Sequence, residues 1–502
     1  RVLFRSEAFG GRTDSKPNGP GAVGLDVVFA GAAAVYGLPE HAAPLALKDT
    51  HAEYREPYRL FNADVFEYET DETMALYGSV PLVLAHDPVR GTTAGMLWLN
   101  PTETWVDVTH HHNSNNKEAK EGDNKAATEE GEEIRWTSED GLVDVWLFSG
   151  PTAEDVFRQS TSVTGRPFMP PYFATAYHQS RWNYNSQDDV REVDAGFDAH
   201  DIPYDVLWLD IEHTDGKKYF TWDSSKFADP EGMQRNLSAK GRRLVTIVDP
   251  HIKRDSGYSV HSEAAAKGYY VKRADGRGDY EGHCWPGTSH WIDFFSPAAR
   301  DWWAGKFALD QYRGSSASLF IWTDMNEPAI FNGPETTMDR DARHAGGLEH
   351  RQVHNAFGHV EAMATHAGLL RRVANQRPFV LSRSFFAGTQ RYAAIWTGDN
   401  RASWEHLQAM YPMVLSLGLA GIVFSGADVG GFFGNPPPEL LVRWYQAAAF
   451  VPFFRAHAHL DTARREPWLF GADTTALIRA AVARRYAHLP YLYTLFREAA
   501  TT

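Results

Sequence analysis

The sequence predicts an α/β protein, a (β/α)8 TIM barrel preceded by an N-terminal antiparallel β-sandwich domain. Three observations carry that expectation. The texture of the chain changes near residue 165, from short strand-like runs to strand and helix in alternation. Eight apolar runs then follow one another with helix-like stretches between them. Most of those runs end in a polar residue, as happens when strand ends converge on one functional face.

Residues 1–150 are assigned to the sandwich. "GAVGLDVVFAG", "YRLFNADVFEYE", "TTAGMLWLN", "TETWVDVTH" and "GLVDVWLFSG" are rich in Val, Phe, Tyr and Trp and lie between Gly, Pro, Asn and Asp. None shows a helical period, and an antiparallel sandwich accommodates them. Within this part, residues 110–134 are polar, charged and poor in apolar side chains, so a mobile loop is expected. His110, His111 and His112 are read as solvated members of that loop rather than metal ligands. The chain begins inside what reads as a strand and stops after an amphipathic helix, so it is expected to be a fragment or one piece of a nicked chain.

Residues 151–502 are assigned to the barrel. Its strands are expected at 172–177, 204–210, 243–249, 318–324, 378–383, 393–399, 420–428 and 452–458, with a closing helix at about 472–499. Residues 250–317 form an insertion that holds the third helix or a small subdomain.

Asp210, Asp249, Asp324, Arg383, Asp399, Asp428 and His457 stand at or just past the ends of these strands. A single acid there would serve as a helix N-cap. Seven polar residues at equivalent positions are not explained by capping. Asp324 and Asp399 close strands two apart, which can face two carboxylates across a substrate. That pair is the equipment of glycoside hydrolysis, one ionised and one held protonated. Trp322, Met325 and Trp396 beside them supply the apolar surroundings that separate the two acidities. "WTDMNEP" contains a second acid, Glu327, so the residues alone leave open which of Asp324 and Glu327 reacts.

Composition excludes some classes. A net charge of −15 argues against a nucleic-acid partner. No run of about 18 apolar residues is present, so no membrane span is expected. Cys284 is the one cysteine, so no internal disulfide can form. A lone glycosylation sequon stands at Asn236. Aromatic residues make up 13% of the chain, which suits a sugar-binding cleft as well as a large core. His457 and His459 have metal-ligand spacing, but barrel metallohydrolases place such a pair on the first strand, where only His178 occurs. No metal site is therefore expected.

"IWTDMNEP", "RSFFAGTQRYAAIWTGDN", "GADVGGFFG" and "PFFRAHAHLDTARREPWLF" resemble glycoside hydrolase family 31, the retaining α-glucosidases, over nearly the whole chain from about residue 55. "DVLWLDIEHTDGKKYFTWD", "DPHIKRDSGY", "NEPAIFNGPE" and "HRQVHNAFG" resemble most closely the members that trim glucose from N-glycans. The resemblance makes Asp324 the nucleophile, Asp399 the general acid and base, and Glu327 a structural partner. It implies that Arg383, His457 and Asp210 hold sugar hydroxyls, with Asp428 in the same substrate-binding set. Trp285, Trp322, Met325, Trp396 and Phe432 resemble the apolar wall of the first sugar site, joined by Ile211 and Ile247, and Asp64 resembles an N-domain acid that reaches into the cleft. The stretch "TSHWIDFFSP" after "CWPG" departs from the family's usual sequence, which affects the loop near Trp285.

The implied activity is exo-acting release of α-1,3-linked glucose from glucosylated high-mannose N-glycans on nascent glycoproteins, by double displacement and without a cofactor. The rival readings are a neutral α-glucosidase acting on α-1,4 glucans, a glucan lyase, and a non-catalytic glycan-binding barrel. The resemblance also implies the endoplasmic reticulum lumen, with the cytoplasm as the alternative, and a non-catalytic β subunit. The family's β-domains after the barrel are expected on a remaining piece of the chain.

Overall fold

The computed structural model describes residues 21–51, 56–111 and 130–502. The expected strand at the very start of the chain and most of the expected mobile loop, including His112, lie outside the described residues.

Two four-stranded antiparallel sheets form the N-terminal sandwich. One sheet runs Val23–Ala30, Gly131–Ser138, Thr104–His111, Tyr58–Leu60 in spatial order, and the other Ala34–Gly37, Leu82–Asp87, Thr92–Trp98, Val145–Phe148. In "TWVDVTHH" Val106 and Val108 point inward while Trp105 and Asp107 face out, the period-two pattern of a half-buried strand. Both sheets contribute to one core, in which Trp98 and Trp136 stack with ring centroids 5.9 Å apart. The flanks of the expected mobile loop prove to be strand. His110 and His111 end one strand and pair with Glu132 and Glu133 of its neighbour. The charge density of this segment hid the alternation of Ile134 and Trp136, which carry the buried face.

The capped helix Ala153–Thr164 leads into the barrel; Thr152 and Asp155 form a reciprocal capping box at its start. Eight parallel strands follow: Tyr177–Gln179, Val206–Leu209, Arg243–Ile247, Leu319–Thr323, Val380–Ser382, Ala394–Trp396, Ser425–Gly426 and Phe454–Ala456. Runs such as "VLWL" and "LFIWT" are buried along their whole length, as strands covered on both faces must be. Phe453 N–H donates to Ser425 O at 3.0 Å and Val429 N–H to Arg455 O at 2.9 Å, which closes the seventh strand on the eighth. Gly426 is needed there, because a Cβ would lie 2.1 Å from Phe453 O.

The first strand corrects an expectation. Residues 172–175 form a 3-10 turn after Pro171, and the strand begins only at Tyr177. Phe173 of this stretch packs 4.6 Å from Phe320 of the fourth strand instead, while Tyr172 stays exposed. The insertion at 250–317 folds as a three-stranded antiparallel sheet with helices Ser259–Lys267 and Pro297–Lys306. Its hairpin between Gly282–Cys284 and Gly287–Trp291 carries Trp285 to the mouth of the barrel. The closing helix spans Ala472–Thr501. No helix among the described residues is long and apolar enough to cross a membrane.

Candidate active site

A cavity of about 240 Å³ opens at the C-terminal ends of the barrel strands. That is below the about 300–1,000 Å³ of sites for drug-sized ligands, and suits one sugar ring better than a chain of them. Asp64, Asp210, Ile211, Trp285, Trp322, Asp324, Met325, Arg383, Trp396, Asp399, Phe432 and His457 all line it. Two residues expected in the set do not. Ile247 is buried at the end of the third strand, and Asp428 turns away to pair with Arg455 at 2.7 Å.

The carboxylates sort by access. Glu327 is fully buried and receives two parallel bonds from Arg383, Nε to Oε1 at 2.8 Å and Nη2 to Oε2 at 2.9 Å. It cannot meet a ligand. The Asp324 and Asp399 side chains keep 15% and 12% of their surface and face the cavity. The turn after Asp324 places Met325 at φ +56°, a left-handed conformation that is costly for a side chain of this size. It directs residues 324 and 325 into the cavity and residue 327 beneath it.

Arg383 is the hub of this floor. Its Nε also lies 2.9 Å from Asp324 Oδ1, its Nη2 3.4 Å from Asp64 Oδ1 and its Nη1 3.9 Å from Asp399 Oδ2. One cation thus faces four carboxylates. Burial pushes Asp399 well above the usual carboxylate range, reinforced by Asp324 and Asp64 and opposed by Arg383. Burial also raises Asp324, but the adjacent Arg383 and the Met325 N–H hold it down. Glu327 is pushed up to about 7 by burial, against the same guanidinium. The arrangement favours a protonated Asp399 facing a more acidic Asp324.

The walls are closely packed. His457 Nδ1 lies 2.7 Å from Ser180 Oγ and its ring stacks on Phe432 at 5.2 Å. Burial and the nearby Arg455 and Arg465 push His457 well below its ordinary value, so it is neutral, with Nε2 3.7 Å from Asp210. His459 does not join it; that ring packs among Trp182, Phe432 and Phe433. Under the floor, the Arg455 guanidinium lies 4.8 to 5.0 Å from the rings of Trp208, Trp322 and Trp396. Asp249, another strand-end acid, is fully buried and accepts from Asp324 N–H at 3.2 Å and from the Tyr219 hydroxyl.

Four lining residues were not anticipated: Phe66, Trp182, Phe331 and Thr336. Phe66, Trp182 and Phe331 lie on loops and Thr336 in a short 3-10 turn, where strand periodicity does not mark them. Trp182 follows the first strand, which ends at Gln179 and not at the expected residue 177, so the expected strand left it too far along to be counted. Phe66 and Phe331 are unusually exposed aromatics, at 59% and 43%, as suits a sugar-stacking rim. Asp64 arrives from the sandwich because Asn62 docks on the barrel, its Nδ2 donating to Ser384 Oγ at 2.8 Å and Asn355 O at 2.9 Å.

Residues 167–495 match the model of the glycosyl hydrolases family 31 TIM-barrel domain, and residues 1–107 that of the glycosyl hydrolase 31 N-terminal galactose mutarotase-like domain. A probable glucan 1,3-alpha-glucosidase of Arabidopsis thaliana is 57% identical over 500 residues, covering 99% of this chain and 54% of the relative. A crystal structure of the glucosidase II alpha subunit in a Glc1Man2-bound form superposes with a TM-score of 0.93 at 52% identity, covering 99% of this chain and 53% of that one. A crystal structure of the ER glucosidase II heterodimeric complex, of catalytic subunit and the binding domain of regulatory subunit, gives 0.92 at 52% identity, with 99% and 54% covered. The chain spans about half the length of the relatives it matches.

Proposed function

The chain belongs to glycosyl hydrolase family 31, and from that premise we propose that it carries the active site of a retaining α-glucosidase that releases terminal α-1,3-linked glucose from glucosylated N-glycans. The observation that carries the reading is the pair Asp324 and Asp399, both open to one single-ring cavity and both facing Arg383. The Glc1Man2-bound relative and the 1,3-specific name of the plant relative support the substrate class.

In this reading a glucose enters with its non-reducing end first. Asp399 gives its proton to the glycosidic oxygen as the bond from C1 to that oxygen breaks. An Asp324 oxygen attacks C1 from the opposite face and forms an ester. Asp399, now ionised, takes a proton from water, which attacks C1, returns the Asp324 carboxylate and frees α-glucose. Such a double displacement works with carboxyl groups about 5–5.5 Å apart. Arg383, Asp210 and neutral His457 bind hydroxyls, and Trp285, Trp322, Trp396 and Phe432 offer apolar faces to the ring. The heterodimeric relative supports a non-catalytic subunit as partner and the endoplasmic reticulum lumen as location.

Linkage is tested by competition between α-1,3- and α-1,4-linked diglucosides at equal concentration. The 1,3 substrate is expected to be consumed first, by a factor of about ten in kcat/KM, roughly the discrimination of one good contact in the transition state. Preference for the 1,4 substrate would overturn the N-glycan assignment and leave the catalytic pair in place.

A further inference from the structure

Tyr77 belongs to the N-terminal part of the chain and does not line the cavity, yet it touches three of the groups that build it. Its hydroxyl accepts a hydrogen bond from the Asp399 main-chain N–H at 3.0 Å. The same hydroxyl donates to the carbonyl of Val65, the residue after Asp64. The Arg383 guanidinium lies 5.1 Å from the centre of its ring. The ring is fully buried. Gly398, at φ +69°, lies so close that a Cβ there would fall 2.0 Å from a ring carbon. The main chain entering Asp399 is therefore pressed onto the phenol and hydrogen-bonded to it.

The support beneath Tyr77 is equally close. Gly78 abuts the Phe385 ring, with room for no Cβ. Ser79 N–H donates to Phe385 O at 3.0 Å and Ser79 Oγ to Asn62 Oδ1 at 2.6 Å. Burial raises the phenol well above its ordinary value, so its proton stays in place and both bonds persist at neutral pH.

We propose that Tyr77 is a positioning residue for proton transfer: by holding the Asp399 main chain and the Asp64 loop against one hydroxyl, it aims the Asp399 carboxyl at the glycosidic oxygen. The proposal rests on the reading of Asp399 as the general acid. Its signature is selective. A leaving sugar must receive the proton from Asp399 as its bond to C1 breaks, whereas fluoride leaves without one. Loss of aim should slow the first reaction and spare the second. Misplacement by about 1 Å can cost about a hundredfold.

The test compares kcat/KM of the wild-type chain and Tyr77→Phe on an α-1,3-linked diglucoside and on α-glucosyl fluoride. Tyr77→Phe is expected to lose about tenfold to a hundredfold on the diglucoside and no more than about threefold on the fluoride. Ser416→Ala removes a different hydrogen bond between barrel and sandwich, to Gly37 O at 3.1 Å, and is expected to change neither value. Gly398→Ala sets a Cβ against the Tyr77 ring, pushes the same main chain off the phenol and is expected to repeat the selective loss; retained turnover of the fluoride shows in each variant that the fold and Asp324 are intact. Equal losses on both substrates, or none, would overturn the proposal. A wild-type chain that cleaves neither substrate would instead remove the α-glucosidase reading beneath it.

Discussion

Asp324→Asn is expected to abolish turnover while leaving the fold intact. The amide fills the same space but cannot form the ester on which the double displacement depends. The loss in kcat/KM should be about 10⁴-fold or more, a large part of the acceleration such enzymes provide. The melting temperature should hold or rise. The substitution removes one negative charge from a floor where burial already holds Asp324, Asp249 and Glu327 above the usual carboxylate range. The check is intact-mass spectrometry after incubation with a fluorinated α-glucosyl fluoride that forms the ester quickly and loses it slowly. Wild type should gain one sugar, mapped to the peptide that contains Asp324, and Asp324→Asn should gain none. A labelled variant would shift the nucleophile to another residue.

Arg383→Leu is expected to cost the most stability of any change in the cavity. Arg383 is 2% exposed and is the shared partner of Asp324, Glu327, Asp64 and Asp399. Removing one member of a buried ion pair leaves the other uncompensated, at about 3–5 kcal/mol. The sign of the pH dependence follows from the acids left behind. Without the guanidinium, the folded-state pKa values of Asp324 and Glu327 rise further above the about 4 of an unfolded chain. The folded state then binds more protons than the unfolded state above pH 4, so the variant loses stability as pH rises from there towards neutrality. Urea unfolding of wild type and variant at pH 4.5 and pH 7 measures this, and the deficit should be larger at pH 7. A deficit independent of pH would mean that packing, not charge, is what Arg383 supplies.

The parts of this site that were legible in the sequence share a physical cause. A buried parallel strand is a continuous apolar run, so the polar residue that ends it stands out, and the fold brings all such ends to one face. Asp210, Asp324, Arg383, Asp399 and His457 were found in that way and do meet at the cavity. The same rule over-reached at Asp249 and Asp428. Both close strands, but their carboxyls turn to buried partners, Tyr219 and Arg455, that lie far away in sequence. Which of two strand-end acids faces a ligand depends on those partners, and no local pattern reports them. Glu327 illustrates the reverse. The residues alone left it equal to Asp324, and it is the bidentate pairing with Arg383 that withdraws it from the cavity.

Loops were less legible. Phe66, Trp182, Phe331 and Thr336 reach the cavity from connections whose paths are set by tertiary contacts. The first barrel strand starts several residues later than expected because the apolar Phe173 before it packs on Phe320 rather than pairing as strand. In the sandwich, Gly131–Ser138 went unnoticed because its outward face is charged, although it pairs along its whole length with two neighbours.

The most direct test of the account is the anomeric form of glucose at the moment of release. Proton NMR within the first turnovers on an α-1,3-linked diglucoside, faster than mutarotation, separates the two anomers. Attack by Asp324 followed by attack of water gives two inversions at C1, and α-glucose should appear first. β-Glucose appearing first would mean a single displacement by water, and would contradict Asp324 as the nucleophile.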